Sequence, residues 1–186
     1  MNSSNFVRLI LILFITTAAS VMLGSCRQPP EPEVAERPTM VLENLELRLR
    51  LSGVSGEFAV VANDGDQLIL SPADPAIEGR IIFANFAPEA GQNLPAEVKA
   101  HQIFIENQRD GGYLGGQELV SQLGTTFYSR GRYLDDETEV EETVVFALHP
   151  YADRIMTITY RYPAGVDSSI RVQQLFDVLA VVEGLD

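Results

Sequence analysis

Two histidines, one cysteine and a crowd of carboxylates are the side chains of this 186-residue chain that could carry chemistry. Hydrolytic triads and zinc sites use histidine as base or ligand. His101 falls in a helical stretch, far in sequence from any carboxylate cluster, and His149 precedes Pro150 in a turn. They read as one helix-surface and one turn histidine, so no catalytic residue and no enzyme activity are expected. The run DDETEVEE sets six carboxylates (Asp135, Asp136, Glu137, Glu139, Glu141 and Glu142) in eight residues. Calcium takes oxygen ligands, but an EF-hand loop spaces its acids at alternating positions around a glycine, which this run lacks. Arg130 and Arg132 precede it at strand spacing. If Asp135-Asp136 is a two-residue turn, Arg132 faces Glu139 and Arg130 faces Glu141; if DDET is a four-residue loop, Arg132 faces Glu141. Either register gives a ladder of opposite charges, at ~0.2–1 kcal/mol per pair, rather than a metal site. GGYLGG (Gly111 to Gly116) lacks the Lys and Ser/Thr of a phosphate-binding loop, and no G-x-S-x-G elbow occurs. It reads as a flexible connection with a hydrophobic tip at Tyr113 and Leu114. No cofactor and no metal are expected.

The thiol stands in a different setting. Leu9 to Leu23 is an uncharged apolar run of 15 residues, preceded by a polar segment with Arg8 and followed by Gly24 and Ser25. At ~1.5 Å per residue it falls short of the ~30 Å hydrocarbon core, which suits a secretory signal better than a membrane span. Leu23-Gly24-Ser25-Cys26 resembles the lipobox of bacterial lipoproteins. That resemblance implies a signal peptide over 1–25, cleavage before Cys26, and diacylglycerol on its thiol. The anchored chain would reach an oxidising compartment with no other cysteine, so its fold stands without disulfides. From Arg27 to Pro38 four prolines interrupt a charged stretch, giving a semi-stiff tether of ~3.1 Å per residue within 26–40.

Thirteen basic side chains against 26 acidic ones give a net charge of −13, which becomes −14 when Arg8 leaves with the signal. Such a surface disfavours nucleic acid, which needs clustered Lys and Arg.

The elements that must position these residues begin near Val41. NLELRLRL alternates Leu45, Leu47, Leu49 and Leu51 with charged residues, the pattern of a half-buried strand. EFAVVA and QLILS flank the hairpin signal NDGD at Asn63 to Asp66, and RIIFANFA follows. Pro95 opens a helix in PAEVKAHQIFIENQ, ended by Gly111-Gly112. GTTFYSRGRYL, EVEETVVFALHP and RIMTITYRYP read as further strands. A final helix, capped by Asp167 or Ser168, runs to the C-terminus. Val172, Leu175, Phe176, Leu179 and Val182 form its apolar stripe, widened by Val178 and Val181. Arg171, Gln173, Gln174, Asp177 and Glu183 form its polar side.

The expected fold over 41–186 is α+β: a mostly antiparallel sheet with two main helices, the C-terminal one covering the sheet. The element order, with His149-Pro150 and Tyr162-Pro163 each at a strand end, resembles the α/β/α sandwich of the PsbP-like and DcrB-like secreted proteins. The functional expectation is an envelope lipoprotein, lipid-anchored at Cys26 with its domain on the extracytoplasmic side. That domain is a non-catalytic binding or assembly module with an envelope protein partner. The alternative is a carrier holding a small molecule or lipid between sheet and C-terminal helix. Tyr128, Tyr133, Tyr151, Tyr160 and Tyr162 beside Arg130, Arg132, Arg154 and Arg161 have the composition of a protein interface.

Overall fold

The structure is a computed structural model that describes residues 39–88, 92–165 and 168–186. The signal run, Cys26, the proline-rich stretch to Pro38 and the candidate cap Asp167 lie outside the described residues. β1 (Thr39–Asn44), β2 (Leu49–Ser55) and β10 (Val182–Gly184) form a three-stranded sheet in the order β1-β2-β10. A seven-stranded sheet is built from β3 (Phe58–Asp64), β4 (Gln67–Pro72), β5 (Arg80–Phe86), β6 (Gly112–Ser121), β7 (Gly124–Asp135), β8 (Thr138–Leu148) and β9 (Ile155–Pro163). Its order is β3-β4-β5-β9-β8-β7-β6, and every pairing is antiparallel. Helices α1 (Leu94–Glu106) and α2 (Ser168–Leu179) complete the α+β fold.

Alternation along the central strands decides which helix covers which face. On β8, Val144 and Phe146 join Leu94 of α1 in one apolar cluster. Their neighbours Val145 and Ala147 join Leu175, Val178 and Leu179 of α2, together with Leu47, Leu49, Leu51 and Val182 of the small sheet. One outer layer is therefore α1, and the other is α2 beside a second sheet. α1 carries the chain from β5, in mid-sheet, to β6 at the far edge. Asn93 caps it by accepting from Ala96 N at 3.0 Å, and Pro95 sits in its first turn. Where α1 crosses β7, Gly131 leaves room for Ile105; a Cβ there would lie 2.5 Å from Ile105 Cγ1.

Four sequence expectations need correction. NLELRLRL is not one strand, because Asn44 Oδ1 accepts from Leu47 N at 2.8 Å and Arg48 adopts φ 55°, turning the chain between β1 and β2. Leu45 is consequently 76 % exposed, while Leu47, Leu49 and Leu51 are fully buried. GGYLGG belongs to β6 from Gly112 onward, where Gly115 at φ 118° accommodates a bulge after Tyr113. The last helix stops at Leu179. Val182 is buried as a strand residue of β10, held by pairing with Leu51. Arg171 and Gln174 do not face solvent freely: Arg171 is buried, and its Nη1 donates to Gln174 Oε1 at 3.1 Å and to Tyr160 OH at 3.2 Å.

The β7–β8 hairpin closes at Asp135–Thr138 around Asp136 and Glu137, whose φ values of 44° and 69° are those of a type I′ turn. Neither residue is the Asn-Gly such a turn favours, so the double change Asp136→Asn with Glu137→Gly should raise stability by about 1 kcal/mol in urea unfolding. For α2, Leu179→Ala should cost ~2–5 kcal/mol. Gln173→Ala, at an exposed position, should be close to neutral, and Gln174→Ala should cost ~1 kcal/mol through its lost bonds to Tyr160 and Arg171.

Candidate functional site

The acidic run resolves into separate destinations. Asp135–Thr138 closure pairs Arg132 directly with Glu141 and Arg130 with Thr143, the register of the four-residue loop. Glu141, only 3 % exposed, accepts from Arg132 Nη2 at 2.5 Å, Arg130 Nη2 at 3.1 Å and Tyr162 OH at 3.1 Å. Glu139 lies 3.7 Å from Arg132 Nη1, and Asp135 pairs with Arg161. The expected ladder of opposite charges is present, with Glu141 as its buried centre.

Burial is the largest influence on Glu141 and pushes its pKa up. The hydrogen bonds from Arg132, Arg130 and Tyr162, with the Arg132 charge, outweigh it and hold the group below the ordinary carboxylate value. Tyr162 is pushed up to about 12, first by burial and then by the Glu141 charge.

On the other face, α1 brings His101 against the sheet, which sequence distance alone concealed. His101 is 8 % exposed rather than a helix-surface residue. Its Nδ1 lies 2.7 Å from Ser129 Oγ, and its Nε2 lies 3.0 Å from Glu142 Oε1. Tyr133 OH donates to Glu142 Oε2 at 3.1 Å, and burial followed by the Glu142 charge pushes Tyr133 up to about 12. A readable signal existed. Leu94, Val98, His101 and Ile105 follow i, i+4, i+7, i+11, which places the histidine on the apolar stripe of α1.

Ser129, His101 and Glu142 are the residue types of an acyl-transfer triad, but Ser129 is fully buried under α1 and has no approach for a substrate. His101 has Phe104 and Phe146 as ring neighbours at 6.1 and 6.3 Å. The arrangement satisfies polar groups across the helix–sheet interface. His149 is also buried, though in its turn as expected. Its Nε2 reaches Leu47 O and Arg48 O, both at 3.2 Å, and its Nδ1 accepts from Tyr151 N at 3.1 Å. This locks the β1–β2 turn to the β8–β9 connection.

An open surface lies elsewhere. A groove of about 580 Å³ runs between the edge strand β6 and the end of α2. Leu119 forms one wall, Phe176, Leu179 and Ala180 the other, and Gln117, Val120, Ser121 and Gln122 its margin. Phe176 is braced by Tyr128, with ring centroids 5.9 Å apart. The groove opens to solvent and is not an enclosed cavity. A second hollow of about 670 Å³, near Arg80, Arg161 and Asp135, is more polar, and the Arg161–Asp135 ion pair lies in its wall.

No protein-family profile and no curated protein sequence matches the chain. Solved structures do. The Ran-binding protein Mog1p of Saccharomyces cerevisiae superposes with a TM-score of 0.57 at 12 % identity, over 81 % of this chain and 97 % of its own. The cyanobacterial PsbP protein (CyanoP) of Synechocystis superposes at 0.51 and 10 % identity, over 84 % and 98 %. The chain has a PsbP-like fold. At these identities the likeness is one of fold alone.

Glu141 supplies a pH test. A carboxyl held below its unfolded value contributes stability that is complete above that value, near 4.5, and lost as pH falls through the folded one. Glu141→Gln should cost about 1–3 kcal/mol at pH 7, and urea unfolding should show the gap to wild type closing below pH 4.5.

Proposed function

We propose that this chain is an envelope lipoprotein, anchored through Cys26, whose domain is a non-catalytic binding or assembly module using the β6–α2 groove as its contact surface. The observation that carries this reading is the contrast between the polar clusters and the groove. The histidines and the carboxylates Glu141 and Glu142 are engaged with one another, with backbone or with neighbouring side chains in the interior. The apolar side chains Leu119 and Phe176 are instead presented along an open groove. Exposed apolar surface rimmed by polar residues is what recognition surfaces carry.

The fold is compatible with such use, since Mog1p is itself named as a Ran-binding protein. No helix among the described residues is long and apolar enough to cross a membrane. The carrier alternative draws on the same groove between sheet and C-terminal helix. Its openness to solvent favours a protein contact over an enclosed ligand.

The anchor is tested in the native bacterium or a bacterial host. Wild-type protein should sediment with membranes and give a mature N-terminal cysteine bearing lipid by mass spectrometry. Cys26→Ala should leave it unprocessed or soluble. An unmodified mature N-terminus at another residue would sink the anchored reading. The carrier alternative would gain if organic extraction of the purified protein released a stoichiometric small molecule that Leu119→Asp failed to retain.

A further inference from the structure

We infer that β6 pairs with the β6 of a second copy of this chain, joining the two large sheets about a two-fold axis. This goes beyond the reading of the β6–α2 groove: it assigns a partner to the strand edge that borders it.

β6 ends the large sheet, and among the described residues β7 is its only strand neighbour. Ser121 closes the β6–β7 hairpin opposite Gly124, so Ser121, Leu119 and Gln117 direct their backbone groups to β7. Gly116, Glu118 and Val120 then direct theirs outward, unpaired. A free edge of this kind is a template for another strand. The opposite edge is less open: on β3, Asn63 Nδ2 donates to Glu43 O at 3.0 Å, and Asn63 Oδ1 accepts from Asn44 Nδ2 at 3.1 Å.

Charge selects the partner. β6 carries one charged residue, Glu118, in ten, so nothing on the edge recruits a basic foreign segment or repels a copy except that carboxylate. Outward residues must face outward residues, which restricts self-pairing to a few registers. With Glu118 on the axis, two carboxylates would oppose one another. With Gln117 on the axis, Glu118 faces Gly116 of the other copy, and the exposed Val120 faces the exposed Leu114. The bulge between Tyr113 and Gly115 limits pairing to the stretch from Leu114 to Val120. A two-fold antiparallel contact closes on itself and does not propagate into a fibre.

Gln117 lies on the proposed axis, so the two Gln117 positions are opposite one another. Directly opposed Cα atoms are ~4.5–5.5 Å apart, within disulfide reach. The full-length chain carrying Gln117→Cys, in isolated membranes under mild oxidant, should give a disulfide-linked dimer as its main species. Wild type, with Cys26 alone, and Val60→Cys on the β3 edge supply the baseline. Adding Val120→Lys to Gln117→Cys changes an exposed position and should lower the dimer at least fivefold. Crosslinking at the baseline level, or undiminished by Val120→Lys, overturns the second copy as occupant. Anchoring is read separately, by membrane sedimentation of the same samples, so the two readings can fail independently.

Discussion

Two consecutive carboxylates in the middle of a covered sheet impose the constraint on which much of this structure depends. Glu141 and Glu142 are neighbours on β8, so strand geometry sends them to opposite faces, and both faces are covered. A buried carboxylate without partners costs several kcal/mol or gives up its charge. Each face therefore has to supply donors. One supplies Arg130, Arg132 and Tyr162; the other supplies His101 and Tyr133.

Those donors tie the layers together. Arg130 and Arg132 link β7 to β8, and Tyr162 links β9 to β8, across the strands between the two helices. His101 links α1 to the same strand from the opposite side, and Ser129 adds β7. Arg171 and Gln174 perform a similar service for α2 through Tyr160, whose own pKa is raised by burial against the nearby Arg171 charge. Polar satisfaction and apolar packing thus specify the same helix positions. Among the described residues, the histidines and the carboxylates Glu141 and Glu142 are engaged in this task.

The edge itself bears features that restrain indiscriminate pairing. A bulge and a glycine at positive φ bend its start, and Glu118 places a carboxylate within it. Such features permit one register more readily than others, which suits a specific contact over aggregation.

What the sequence determined by itself was whatever depends on near neighbours. Apolar, β-branched and aromatic runs between turn signals located β4, β5, β7, β8 and β9, Asn63 to Asp66 announced the β3–β4 hairpin, and the 3.6 spacing of Leu175, Val178 and Leu179 identified the buried side of α2. The opposite-charge ladder was readable too, because its partners lie within one hairpin. Tertiary structure decided everything that joins distant segments. Val182 became a strand residue because β2 offered it an edge, against the continuation of its helical stripe. GGYLGG became strand because β7 had a free side, and glycine-rich sequence carries no strand preference of its own. His101 met Glu142 only because α1 recrosses the sheet, a distance of 41 residues along the chain. Local spacing could place His101 on an apolar stripe, but the identity of its partner depended on chain topology.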